Sequence, residues 1–251
     1  MRTLPFTQTI RVWRKRHHDS LSSFMTNFIA TVLGIVLTFG TTMWYEHRRK
    51  TEAAQALVER CLSNMEMRLD NLEGVVRMYD RQNHLFSMAT SMPLDSLTDA
   101  EVSELIDLFT WQYSLIIDHS YEKSFSTSAD SHEILGSFAN VIGAGFEYLH
   151  EAEENHQNVN ILKRELRRAM IVERQVKYDL YSMRQFVMTT LNDPLFGYFQ
   201  LEYMQQESSV RHYHSYLSLF IPEARRLWKG EISEKEFWTK TREQWDKWDD
   251  R

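Results

Sequence analysis

Two Glu-x-x-His units, Glu147 with His150 and Glu153 with His156, are the pattern in this chain that comes nearest to a reaction centre. In carboxylate metal sites of helical bundles such a unit puts a carboxylate and an imidazole on one helix face, and two units on different helices combine with Glu from two more. Here both units share one helix and lie six residues apart, which turns the second about 120° from the first. That spacing predicts a solvated polar helix end, with a membrane-bound metal-dependent hydrolase or oxidase as the enzymatic alternative. Arg211, His212 and His214 form an RHYH run; on a helix its two imidazoles diverge by about 160°, and only an extended or turning backbone brings them to one metal or phosphate. Cys61 adjoins the apolar residue Leu62 and reads as a small buried hydrophobe rather than a nucleophile. Lys163, Arg164, Arg167 and Arg168 make a basic stripe that pairs with neighbouring acids or receives an anionic partner. Gly-rich phosphate loops, nucleophile elbows, zincin motifs and paired-cysteine motifs are absent from the sequence. No cofactor is expected.

The elements that must position these residues are set first by charge and apolar length. Residues 1–50 carry eight Lys or Arg and two acids, a net of +6, whereas residues 51–251 carry a net of −12. An acidic body repels phosphates, so nucleic acid is excluded as a partner. The single cysteine precludes an intrachain disulfide.

No charge occurs from Ser20 to Tyr45, and the 22 residues from Phe24 to Tyr45 would span about 33 Å as a helix. That matches the hydrocarbon core of a bilayer. The run is too long for a signal peptide and ends in WYEHRRK rather than a small-residue cleavage site. The sequence therefore predicts a basic tail over 1–21, a transmembrane helix over 22–46, and a helical domain over 47–251. Five basic residues on the leading flank against four on the trailing one leave a slight bias towards a cytoplasmic N-terminus and a periplasmic domain, in a bacterial inner membrane. Thr26, Ala30, Gly34 and Thr38 recur every four residues as a ridge of small side chains suited to close helix packing in lipid, with Asn27 and Thr31 beside it.

Beyond residue 50, Val58, Leu62, Met65, Leu69, Leu72, Val76 and Tyr79 keep a 4,3 spacing on a proline-free stretch. One helix from about residue 22 to about 85 is predicted, a stalk whose seam meets a second copy or, alternatively, the helix around Leu162 to Leu180. After the break at Pro93, Thr98 with Glu101 forms a capping box and Leu97 with Val102 a hydrophobic staple, opening a helix that runs through WQYSLII to about His119. Residues 124–131 read as a Ser/Thr-rich loop, with Asp130 and Glu133 as the next cap pair. A helix follows through Ile134, Phe138, Val141, Ile142 and Leu149, with Gly136, Gly143 and Gly145 allowing close approach, and HEAEENHQN is expected to end it. Another long helix is predicted from Leu162 to Val187, then a short helix or turn over 196–204, and a helix from Val210 interrupted at Pro222. Ser233 with Glu236, and Ile232 with Phe237, start a last helix whose Trp238, Trp245 and Trp248 dock it onto the body.

The membrane exit, Gly34 to Lys50, resembles a group of single-span membrane proteins common in Bacteroidota. The similarity rests on Gly34, Ile35, Trp44, Glu46 and the basic run Arg48, Arg49 and Lys50, a Trp-x-Glu-basic juxtamembrane motif. Gly40, Thr41 and Thr42 stand where the group has an amide-rich stretch. The resemblance implies an anchored helical protein and carries over no catalytic residue. The expected fold is all-α: one N-terminal transmembrane helix continuing into a stalk and an extramembrane bundle of roughly five to seven helices. The expected role is interaction, as a scaffold, adaptor or assembly subunit, with the bilayer and a protein partner or second copy as companions. A sensor acting through a partner is the further alternative.

Overall fold

A computed structural model of the chain describes residues 6–91, 93–110, 112–168 and 180–249. Among these the architecture is all-α: α1 (Phe6–Ser91), α2 (Asp99–Thr110), α3 (Ser120–Thr127), α4 (Ala129–Leu135), α5 (Phe138–Arg167), α6 (Leu180–Leu191), α7 (Pro194–Trp228) and α8 (Glu234–Asp249). The chain divides into two compact units, Met1–Ala53 and Ala54–Arg251.

The first unit is the membrane part of α1. From Phe24 to Lys50 every residue is exposed, and an 18-residue window has a mean hydropathy of 1.7 with none of it buried inside the protein. A helix this apolar and this bare has lipid as its solvent. Residues 1–5, and the side chains of the rest of the predicted basic tail, lie outside the described residues.

The second unit is built around α1, α5 and α7. Val58, Leu62, Met65, Leu72 and Tyr79 of the predicted seam are all buried, as are Val75, Leu85 and Phe86 further along the helix. Leu69 and Val76 are half-buried: with 3.6 residues per turn, the buried stripe drifts off a strict heptad. The partners are the chain's own helices. Tyr79 meets His156 of α5 and Tyr203 of α7, and Phe86 meets Phe196 of α7. The seam is thus closed inside one chain, by α5 and α7, as the intramolecular alternative expected, and the stalk is a core helix. At Gly145 a Cβ would lie 2.9 Å from Met65 Sδ and 3.1 Å from Phe220 Cε1, so this glycine sets the approach of α1, α5 and α7.

Several predicted boundaries move. α2 ends at Thr110, and 112–119 is an irregular connection instead of helix; Trp111 lies outside the described residues. The predicted loop 124–131 is helical on either side of Ser128, as the end of α3 and the start of α4: Phe125 is buried, and the Ser124 and Thr127 hydroxyls are taken up by the carbonyls of Ser120 and Lys123 on their own helix. Asp130 lies inside α4 rather than capping it, and its side chain lies outside the described residues. HEAEENHQN does not end α5, since Ala152, Glu153, His156 and Val159 continue its buried face. The stretch 196–204 belongs to α7, with Phe196, Phe199 and Tyr203 buried at spacings of three and four. Pro222 is carried inside α7: it faces solvent while Phe220, Ile221 and Ala224 anchor the helix on both sides. Of the predicted helix from Leu162, Ala169, Met170 and Val176 lie outside the described residues.

The other two capping signals hold. Thr98 N donates to Glu101 Oε2 at 2.6 Å and Glu101 N to Thr98 Oγ1 at 3.3 Å, over buried Leu97 and Val102. Glu236 N donates to Ser233 Oγ at 3.2 Å, over buried Ile232 and Phe237. Gly230, at φ +72°, ends α7 with Glu231 N donating to Arg226 O and Gly230 N to Leu227 O.

Candidate functional site

Within the span, the hydroxyls are satisfied by their own helix. Thr31 donates to Asn27 O at 2.8 Å, Thr38 to Gly34 O at 2.7 Å and Thr42 to Thr38 O at 2.9 Å. The ridge Thr26, Ala30, Gly34 and Thr38 is exposed along its length, and a Cβ built on Gly34 meets nothing within 4 Å. At the basic end, Arg48 stacks over Trp44 at 5.7 Å and pairs with Glu52 at 2.8 Å.

The sequence-predicted metal residues do not converge. Glu147 and His150 are exposed; His150 lies 4.0 Å from Glu154 and its ring meets His119 with centroids 6.4 Å apart. His212 and His214 are half-buried on α7, the first against Trp245 with ring centroids 4.4 Å apart. Burial lowers the His214 pKa. Among the described residues no three His, Cys, Asp or Glu side chains gather in a way that could hold a metal ion. Burial pushes the Cys61 thiol up to about 12, the behaviour of an inert core residue.

Glu153 and His156 are the correction to the solvated helix end. His156 is 0% exposed. Its Nε2 lies 2.8 Å from the Tyr113 carbonyl oxygen, which can only accept, so Nε2 carries the proton and Nδ1 accepts from the Tyr79 hydroxyl at 2.9 Å. Burial holds the His156 pKa down. Glu153 binds the fully buried Arg68 through both oxygens, at 2.7 and 2.5 Å, and Glu122 adds a third contact at 3.3 Å. A few turns on, Tyr203 donates to Gln82 Oε1 at 2.5 Å, and Lys163 Nζ sits 5.8 Å from the Tyr203 ring centroid. Lys163 is therefore a core residue and not part of an outward basic stripe, whereas Arg164, Arg167 and Arg168 are exposed.

This polar layer escapes sequence reading because its members belong to α1, α5 and α7, far apart in the chain. The signal available was spacing: Glu153, His156 and Lys163 share a face with Ala152 and Val159, so the apolar stripe of α5 continues in polar residues. Chemically the layer is a set of filled hydrogen bonds and ion pairs that fixes helix register.

Two recesses open on the surface of this unit. One, about 380 Å³, runs between α1 and α7, with Asn83, Phe86, Ser87 and Thr90 on one side and Gln200, Tyr203, Met204, Glu207 and Arg211 on the other. Glu207 Oε1 accepts from Asn83 and Arg211, both at 2.7 Å, and Arg211 also reaches Asp80 at 2.9 Å. Beside it Tyr198, Leu201 and Met204 expose an apolar strip on α7. The second recess lies between α5, α7 and α8. No family model matches this chain, and neither a curated protein nor a solved structure matches it.

Proposed function

We propose that this membrane-associated helical protein is a non-catalytic interaction subunit: a scaffold, adaptor or assembly component anchored by α1, in a bacterial inner membrane with its N-terminus cytoplasmic and its bundle periplasmic. The observation that carries the reading is a contrast inside the bundle. Its polar groups best suited to chemistry, His156, Glu153 and Arg68, are committed to buried pairs, while the α1/α7 groove and the strip Tyr198, Leu201 and Met204 lie open. Open apolar surface beside a groove is what a protein contact requires. The resemblance of the Gly34 to Lys50 segment to single-span Bacteroidota proteins accords with the anchor and belongs to the same proposal.

Copurification from native membranes in a mild detergent tests it, with Leu201→Glu and Met204→Asp together as the comparison. The partner recovered with the natural chain is expected to be lost from the variant while the helical circular-dichroism signal stays. A partner set indifferent to the substitutions would sink the assignment of the contact to this strip. A stoichiometric metal ion in the purified protein would return the enzyme alternative.

A further inference from the structure

Between Tyr113 and Ser137 the chain crosses α1 with little to hold it down, although both ends of the crossing are fixed. The Tyr113 carbonyl accepts from His156 Nε2 and Asn160 Nδ2, each at 2.8 Å, and Gln112 donates to Asn160 O at 3.0 Å. At the far end Ser137 Oγ donates to Glu234 at 2.8 Å and Phe138 is buried. In between, the polar contacts to α1 lengthen: Asn71 Nδ2 to Ile116 O and Arg68 to Glu122 are both 3.3 Å, and Cys61 Sγ meets Tyr121 O at 3.9 Å. Among the described side chains of 114–136, Phe125 is the one fully withdrawn from water; Tyr121 and Leu135 are half-buried against the core. The helices of this stretch, α3 and α4, have eight and seven residues, too few to stand without packing. Irregular backbone over 112–119 precedes them and Gly136, at φ +54°, follows, which gives the pair a pivot on each side.

What they cover favours release. Cys61 and Arg68 are residues of α1 that meet α3, and Asn64 stands between them, one turn from each and on the same side of the helix. Asn64 is 4% exposed, and neither its Oδ1 nor its Nδ2 has a hydrogen-bond partner. A buried amide left unmet penalises the closed form, and water reaching it removes the penalty. Lifting α3 strands little in return, because Arg68 keeps both oxygens of Glu153 and Glu122 keeps His119 Nδ1 at 3.0 Å.

We propose that α3 and α4 form a lid over residues 120–135 that lifts as one piece about these two pivots and uncovers Cys61, Asn64 and Arg68 on α1 while the rest of the bundle stays folded. Phe125 is its latch. Cys61, the chain's single thiol, is shielded when the lid is down and reports its opening. The lid is independent of the α7 strip invoked above.

Labelling of the full chain with N-ethylmaleimide in a maltoside detergent, followed by mass spectrometry across a urea series, tests it. At low urea Cys61 is expected to react at a rate nearly independent of urea, since lifting the lid exposes little surface, and the steep dependence of global unfolding takes over only at higher urea. Phe125→Ala removes the latch and should speed the low-urea reaction about tenfold or more. Val187→Ala, at a buried position of α6, weakens the closed and lifted forms alike and should leave that rate unchanged. Circular dichroism confirms that each variant is folded, and Phe125→Leu, with a smaller acceleration expected, stands in if the alanine chain is not. Amide exchange of 120–135 should show the same indifference to urea. Labelling that follows the slope of global unfolding throughout, no acceleration by loss of the Phe125 ring, or equal acceleration by Val187→Ala overturns the proposal.

Discussion

Lys163 is 1% exposed, and burial brings its pKa from 10.5 down to about 7. The unfolded chain holds this proton up to about pH 10.5 and the folded chain only to about 7, so unfolding takes up a proton between those values. Stability should therefore rise with pH across that window, while below about 7 the cost of the buried cation is present in full, roughly 5 kcal/mol by linkage. Lys163→Met is expected to raise the melting temperature at pH 6, to raise it little at pH 10, and to flatten the dependence between. His156, its pKa lowered by burial, adds a loss of stability as the pH falls below 6.5. The Arg68 and Glu153 pair behaves differently. Arg68→Met leaves a buried carboxylate without its fork and should cost about 3–5 kcal/mol in denaturant titrations, whereas adding Glu153→Leu should recover much of it. A double variant as unstable as the single would show that the pair is not the unit. These residues were visible in the sequence as charges at helical spacing, but whether a charge faces water depends on what arrives opposite. For a polar residue such as Glu153, the deciding partner is Arg68, 85 positions away.

At the scale of elements, what the sequence made legible was local. The capping box of Thr98 and Glu101 and the cap of Ser233 on Glu236 N stand where the sequence puts them, because a cap is an agreement among residues within one turn. The helices that ran on past their expected ends, α5 through HEAEENHQN and α7 through Pro222, did so for tertiary reasons: buried faces on either side outweigh a local penalty. The same contrast makes a paired prediction on α5. A Cβ at Gly143 meets nothing within 4 Å, while one at Gly145 collides with Met65 and Phe220. Gly143→Ala should stabilise by up to about 1 kcal/mol through helix propensity. Gly145→Ala gains the same propensity but overpacks the α1/α5/α7 junction, so it should destabilise by about 1 kcal/mol net. Thermal melts of the two variants read the difference. Equal shifts would mean that the flexible Met65 end absorbs the added methyl group.

At the scale of the molecule, the closed seam changes where a second copy can bind. Val58, Leu62, Met65, Leu72 and Tyr79 are spent inside one chain, so Leu62→Ala should lower bundle stability by about 2–5 kcal/mol and leave association alone. The small-residue ridge of the span is the surface left to it. In lipid no apolar driving force draws helices together, and close backbone approach over Gly, Ala and Thr supplies the packing instead. Gly34 is the informative position. Because a Cβ added there meets nothing within 4 Å, a loss of crosslinking in Gly34→Leu points to a contact between chains. Leucine keeps the span apolar, so carbonate extraction should find both proteins in the membrane pellet. Crosslinking in native membranes is then expected to yield a dimer from the natural chain and markedly less from the variant. A natural chain that stays monomeric would end the idea of self-association, and a dimer indifferent to the leucine would place the contact on the bundle, where the α7 strip of Tyr198, Leu201 and Met204 is the surface to test next.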